Sequence, residues 1–132
     1  MNDNGVVLVV DDHVPFARSL VRLLGASGFD AQAVHTGAAA LAFIRSPVAV
    51  ALILLDVSMP DMSGLDVMRA LRLSGTGHPH SPPVLICSAG DDQATRLALI
   101  ELGAAGFVSK TNPAEVLGAI AAYTRPAMPP PE

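Results

Sequence analysis

Two uninterrupted apolar segments limit what this chain can fold into. They are VVLVV at residues 6–10 and VALILL at residues 50–55, and neither contains a polar residue. Strands of this composition are covered on both faces, as in a parallel sheet whose connections run through helices. The sequence therefore predicts a parallel sheet buried between two layers of helices.

Helical patterns fill the intervals between the strand-like segments. From Pro15, the segment PFARSLVRLLGASG places apolar residues at helical spacing, with the proline suited to a first turn and glycines to the exit. Strands that alternate with helices require right-handed crossovers, so we expect a doubly wound α/β sandwich of five βα units. The predicted strands are 6–10, 30–34, 50–57, 83–89 and 105–110, and the predicted helices are 15–28, 37–46, 64–73, 94–103 and 114–123.

Length and composition restrict the class of protein. The 132 residues suit one domain, and a hydrophobic share of 51% with a net charge of −4 argues against direct binding to nucleic acid. The single cysteine, Cys87, excludes an internal disulfide and is expected to be a buried apolar thiol, which fits a reducing cytoplasm. We find no signal-peptide pattern and no apolar run of bilayer length, so we expect a cytoplasmic protein without membrane association.

The end of the chain differs in composition from the rest. Its last residues read PAMPPPE, and so many prolines cannot continue a helix or join a sheet. We therefore predict one domain over residues 1–124, followed at 125–132 by a proline-rich tail or the start of a linker.

Polar side chains follow the predicted strands at their carboxyl ends, the edge where open parallel sheets bind ligands. Asp11 and Asp12 follow the first strand, and Asp56 ends the third. Ser88 ends the fourth strand and Lys110 the fifth. Two carboxylates about 4 Å apart repel by roughly 4 kcal/mol at an effective dielectric near 20, so the acidic pair requires a positive partner. Gathered carboxylates are the oxygen ligands of a hard cation, which predicts a Mg²⁺ site.

Asp56 is the candidate nucleophile of this site. An aspartate can attack a phosphoryl group when a metal ion and a lysine neutralise the charge on the transferring oxygens. Asp56 ends the central apolar strand, and the turn-forming segment Ser58-Met59-Pro60 follows it. We expect this turn to expose the Asp56 carboxylate and to offer the Ser58 backbone carbonyl to the metal.

Four segments, in this order and on matching strands, closely resemble the receiver domain of two-component response regulators. They are DD at 11–12, LLDVSMPDMSGL at 54–65, ICSAG at 86–90 and GAAGFVSK at 103–110. The resemblance extends from residue 6 to about 123. It implies the flavodoxin-like strand order 2-1-3-4-5, in which the first and third strands are neighbours and the acidic pair lies beside the third strand's aspartate.

The resemblance also implies a role for each carboxylate. Asp56 would accept the phosphoryl group from a sensor histidine kinase or a phosphotransfer protein. Asp12, Asp56 and the Ser58 carbonyl would hold Mg²⁺, with Asp11 acting through water. In this family Ser58 and Gly90, at the positions two after the acceptor and two after the hydroxyl residue, tune the lifetime of the phosphoryl group.

The remaining roles implied by the resemblance concern the switch. Lys110 would pair with Asp56 and then with the phosphoryl oxygens, and Ser88 would bond a phosphoryl oxygen. Phe107 would follow Ser88 inward; a plain core residue is the alternative interpretation. In the family, this rearrangement changes the conformation of the surface formed by helix four, strand five and helix five. Family members bind partners through this surface and often form homodimers.

Two further segments, VDDH and KTNPAEVLGAI, look more like regulators with a C-terminal helix-turn-helix DNA-binding domain than like the chemotaxis type. We therefore expect a receiver excised from a longer protein, with its output domain outside this chain; a stand-alone protein is the alternative. Thr111 departs from the family pattern, because proline usually follows the lysine. Asp61 and Asp66 are interpreted as a turn residue and an exposed helix residue rather than as metal ligands.

Three other functions are alternatives for this sequence. A Mg²⁺-dependent phosphohydrolase with an aspartyl nucleophile typically has a second Asp two positions later, where this chain has Ser58. A flavodoxin-like cofactor module needs a Ser/Thr/Gly-rich phosphate cradle rather than an acidic pair. A receiver-like interaction module that is not phosphorylated would be expected to lack Asp56, the acidic pair or Lys110, and this chain has all of them. We expect a phosphoacceptor regulator with self-phosphorylation and slow autodephosphorylation, not a turnover enzyme.

Overall fold

The computed structural model describes residues 5–57, 59, 61–73, 82–88 and 93–124. Within these residues, five strands alternate with five helices, as the sequence predicts. The strands are β1 (Val6–Val10), β2 (Ala31–Val34), β3 (Val50–Asp56), β4 (Val84–Ser88) and β5 (Gly106–Ser109), and the helices are α1 (Val14–Ala26), α2 (Gly37–Arg45), α3 (Gly64–Leu73), α4 (Gln93–Glu101) and α5 (Pro113–Tyr123).

The strands form one parallel sheet in the order β2-β1-β3-β4-β5, which confirms the predicted fold. Its register aligns the carboxyl ends of the inner strands. Val10 lies opposite Leu55, and Asp56 lies opposite Cys87. Ser88 in turn lies opposite the last residue of β5. The chain therefore brings the residues that follow these strands to a single edge of the sheet.

Alternate residues of the central strands enter two separate cores, and this explains the uninterrupted apolar runs. Val7 and Val9 of β1 pack in a core with α1 and α5, whereas Leu8 and Val10 pack in a second core with α2, α3 and α4. All four side chains are at most 1% exposed. Because both faces of the sheet are covered by helices, a polar residue on either face would be buried without a partner.

The predicted element bounds differ from the structure by one or two residues. The strand predicted at 83–89 begins at Val84, and residue 89 lies outside the described residues. The strands predicted at 50–57 and 105–110 are shorter in the structure, because the chain leaves the ladder as the connecting loops begin. Lys110 consequently lies just after β5 rather than in it. None of the described helices is long and apolar enough to cross a membrane. The predicted tail at 125–132 lies outside the described residues, so the domain boundary at 124 stays a prediction.

Candidate functional site

Three carboxylates meet at the carboxyl edge of the sheet. One ligand oxygen from each of Asp11, Asp12 and Asp56 lies within 4.8 Å of the other two. Asp11 and Asp56 are 2% and 5% exposed, whereas Asp12 is exposed. The cluster thus has two buried members and one open to solvent. The structure brings together the three aspartates selected from the sequence, since β1 and β3 are neighbours.

Lys110 supplies the positive charge that the acidic residues lack in the local sequence. Its Nζ atom lies 2.8 Å from Asp11 Oδ2 and 3.8 Å from Asp56 Oδ1. The resemblance implied Asp56 as its partner, but in the structure the closer partner is Asp11. The Nζ atom also lies 4.9 Å from the centre of the Phe16 ring, so α1 contributes a further favourable contact to the ammonium.

The charge state of Lys110 follows from these contacts. Burial alone would lower the pKa of the lysine, but the hydrogen bond with Asp11 and the negative charge of Asp56 outweigh it. The net result is a raised pKa. Lys110 is therefore fully protonated at neutral pH and presents an ammonium to the acidic cluster.

Backbone contacts fix the position of Asp11. The backbone N–H of His13 donates to Asp11 Oδ1 at 2.9 Å, so each carboxylate oxygen has a protein donor. The Asp11 backbone is held as well, because its N–H donates to the Val34 carbonyl and its own carbonyl contacts Nδ1 of His35 at 3.0 Å. The indirect, water-mediated metal contact expected for Asp11 stays a prediction.

The loop after Asp56 is closed by a short backbone hydrogen bond. The N–H of Gly64 donates to the Val57 carbonyl at 2.7 Å, and Met59 is buried at 8% exposure. A Cβ atom at Gly64 would lie 2.9 Å from Val57 Cα. The backbone at the two ends of the loop therefore approaches too closely for a side chain at Gly64. Ser58 lies outside the described residues, and its carbonyl contact to a metal stays a prediction.

Gly64→Ala is accordingly expected to destabilise the fold by about 1–3 kcal/mol, because the new methyl group would displace the backbone of the loop. Gly118→Ala is the matched control. This glycine lies inside α5, a Cβ atom there meets nothing within 4 Å, and alanine is expected to add about 0.5–1 kcal/mol of stability. Urea denaturation of both variants measures the difference. Equal stabilities would contradict the close approach at Gly64.

Ser88 is the last residue of β4, whereas Phe107 lies within the neighbouring strand β5, opposite Ile86. Ser88 is half-buried opposite Ser109, and its carbonyl accepts the N–H of Lys110 at 3.0 Å. Phe107 is half-buried against the core formed with α2, α3 and α4. The guanidinium of Arg96 lies 4.3 Å from the centre of the Phe107 ring. Gly90 lies outside the described residues.

Several neighbouring residues have clear structural roles. Asp66 is an exposed helix residue, as predicted, and its N–H donates to the hydroxyl of Ser63 at the start of α3. Cys87 is buried, as predicted, and burial raises the pKa of its thiol to about 12. The N–H of Thr111 donates to Ser109 Oγ at 3.2 Å, a bond that the family's usual proline could not make.

Several contacts that join distant parts of the chain were not predicted from the sequence. Asp61 is an exposed turn residue, as predicted, but its carboxylate also accepts the backbone N–H groups of Gly37 and Ala38. These two hydrogen bonds lower the pKa of Asp61. The contacts of Phe16 with Lys110 and of Arg96 with Phe107 were also not predicted. No local sequence pattern predicts such contacts, because the two partners of each contact belong to different elements.

A parallel α/β sandwich with an acidic cluster and a lysine at its carboxyl edge defines a receiver-like domain. The family described as the response regulator receiver domain matches residues 7–121, and the chain belongs to this family.

Two curated relatives are similar in sequence to this chain. The chain is 38% identical over 121 residues to the sensory transduction protein RegX3 of Mycobacterium tuberculosis, covering 90% of this chain and 50% of RegX3. It is 39% identical over 104 residues to the response regulator MprA of the same species, covering 79% of this chain and 43% of MprA. The chain therefore spans about half the length of these curated relatives.

A solved structure shows the same architecture at a comparable level of identity. The signal receiver domain of NarL from Mycobacterium tuberculosis superposes with a TM-score of 0.74 and 35% sequence identity. The match covers 89% of this chain and 94% of the NarL domain.

Proposed function

We propose that this receiver domain is a phosphoryl-accepting signalling switch, in which Asp56 takes a phosphoryl group from a sensor histidine kinase or a phosphotransfer protein. The observation that carries the proposal is the placement of a protonated lysine 3.8 Å from a buried aspartate within a cluster of carboxylates. Such a site combines a nucleophile with the positive charge that phosphoryl transfer needs.

The transfer is a simple displacement at phosphorus. A carboxylate oxygen of Asp56 forms a bond to phosphorus, and the bond from phosphorus to the donor's nitrogen or oxygen breaks. The bonding electron pair leaves with the donor, which takes up a proton. Lys110 stabilises the negative charge of the phosphoryl oxygens, and Ser88, at the end of the neighbouring strand, donates its hydroxyl hydrogen to one of them.

The residues present fit a magnesium ion. The cluster offers only oxygen ligands from carboxylates, and its exposed member leaves a path to solvent, which suits a cation that keeps several waters. Asp12, Asp56 and the Ser58 carbonyl would hold the ion, and Asp11 would contact it through water. When bound, Mg²⁺ supplies positive charge beside the phosphoryl oxygens.

Incubation of the protein with acetyl phosphate, followed by intact-mass analysis, tests the proposed function. With Mg²⁺ we expect one phosphoryl group per chain, and with excess EDTA we expect none. The adduct should be removed by hydroxylamine, because an acyl phosphate reacts with this nucleophile whereas a phosphoserine does not. Labelling that is independent of the metal, or that resists hydroxylamine, would overturn the proposal.

We infer that the output lies outside this chain, since RegX3 and MprA are about twice as long as the matched region. A C-terminal DNA-binding domain is the expected output, controlled through the surface of α4, β5 and α5. On α4, Leu97 and Ile100 are 54% and 52% exposed, which supports a surface that contacts a partner or a second copy.

Ser58 and Gly90 would tune the phosphoryl lifetime. The cytoplasmic location stays a prediction.

The residue two positions after Asp56 supports a regulator with little turnover. The position two after Asp56, which holds the acid/base aspartate in the phosphohydrolase alternative, is Ser58 and supplies no carboxylate. We therefore propose self-phosphorylation with slow autodephosphorylation. Retention of both Asp56 and Lys110 also argues against an interaction module that is not phosphorylated.

A further inference from the structure

The loop after the phosphoacceptor is tied to a helix far away in sequence. Asp61 Oδ1 accepts the N–H of Gly37 at 3.1 Å, and Asp61 Oδ2 accepts the N–H of Ala38 at 3.2 Å. Both donors belong to the first turn of α2. A carboxylate at this end of a helix is favourable because the N–H groups of the first turn have no partner within the helix and carry partial positive charge.

Asp61 is not needed merely to begin the helix. Thr36 already caps α2, since its Oγ1 atom accepts the N–H of Ala39 at 3.0 Å. Asp61 instead adds a connection between α2 and the segment that joins β3 to α3. A second contact reinforces this connection, because a Cβ atom built on Gly37 would lie 2.8 Å from both Cβ and Sδ of Met62. The Met62 side chain therefore rests directly against the backbone of α2.

Three contacts hold the loop that follows Asp56, and the first of them lies next to this residue. Asp56 ends β3, the hydrogen bond between Gly64 and Val57 closes the base of the loop, and Met59 is buried in the core. Asp61 attaches the outer part of the loop to α2. Without the Asp61 contacts, the hydrogen bond between Gly64 and Val57 would still close the loop. The two hydrogen bonds that attach the loop to α2 would be lost.

We propose that Asp61 is a positioning residue: it holds the loop after Asp56 against α2 in the arrangement that binds Mg²⁺ and accepts the phosphoryl group. The inference rests on the proposed function, because it assigns Asp61 a role in the same site. It does not make Asp61 a metal ligand. The carboxylate already accepts two backbone N–H groups, and it acts through the loop that it restrains.

Asp61→Ala is expected to weaken Mg²⁺ binding and to slow labelling by acetyl phosphate, each by about tenfold, the lower end of the range for residues that orient metal ligands. Thr36→Ala is the matched control. It removes a cap from the same helix turn without touching the loop, and both quantities are expected to stay within about twofold of wild type, since capping alone affects stability. Asp61→Asn keeps one acceptor oxygen and should give an intermediate loss.

Three measurements on the full chain test the proposal. Calorimetric titration with Mg²⁺ gives the affinity, intact mass gives the initial rate of labelling, and hydrogen exchange without metal reports the Gly37 and Ala38 amides. Faster exchange and weaker Mg²⁺ binding in Asp61→Ala, but not in Thr36→Ala, would support the proposal. Equal Mg²⁺ affinity and labelling in the two variants would overturn it while leaving the proposed function intact. Failure of wild type to label would overturn both.

Discussion

Asp56→Asn is expected to abolish the metal-dependent phosphoryl adduct. The substitution preserves size and shape but replaces a charged oxygen nucleophile with a neutral amide, which cannot form the acyl phosphate. The fold should survive, because the change removes one of three neighbouring negative charges, two of which contact Lys110. Intact-mass analysis with acetyl phosphate and Mg²⁺ measures the labelling, and thermal unfolding without metal verifies the fold.

Asp66→Asn is the matched control for this experiment. It makes the same chemical change on the exposed face of α3, where Asp66 contacts Ser63 and Arg69. This variant should label like wild type. Equal labelling of Asp56→Asn and wild type would show that another residue accepts the phosphoryl group.

Lys110→Ala is expected to slow phosphoryl transfer by about 10²–10³-fold, the cost of removing one group that stabilises developing negative charge. The variant should also lose about 3 kcal/mol of stability, since removing one partner of a buried ion pair leaves an uncompensated charge. That charge is Asp11, which is 2% exposed and 2.8 Å from the lysine nitrogen. Labelling rates and urea denaturation measure the two effects.

A double variant separates these two consequences of losing Lys110. Lys110→Ala combined with Asp11→Asn removes both members of the closer pair, so most of the lost stability should return. The rate of labelling should remain low, because Asp56 still lacks the ammonium near its phosphoryl group. Recovery of the wild-type rate in the double variant would contradict a direct role for Lys110 in the transfer.

The sequence was sufficient to predict how the aspartates converge. Uninterrupted apolar strands require a sheet covered on both faces, and the parallel strands then place Asp11, Asp56 and Lys110 at one edge. The strand order came from the family resemblance, since the apolar pattern alone does not say which strands are neighbours. Predictions on Ser58 and Gly90 stay predictions.

The detailed pairing at the site could not be predicted in the same way. Whether Lys110 lies closer to Asp11 or to Asp56 depends on a difference of 1.0 Å between two contacts, 2.8 and 3.8 Å long, which the packing of several elements determines. The contact between Asp61 and the start of α2 joins residues 24 positions apart. Neither the hydrophobic period nor a turn motif carries information on such a contact, because both describe neighbours along the chain.

The division of the interior by the sheet has a consequence for how a signal could travel. Phe107 packs toward the core shared by α2, α3 and α4, whereas the next residue, Val108, packs toward the core of α1 and α5. A rotation of the Phe107 ring thus disturbs one layer directly and reaches the other only through the backbone of β5. The sheet therefore separates the two cores, and a change that begins at Phe107 would reach the side of α5 through the backbone of β5.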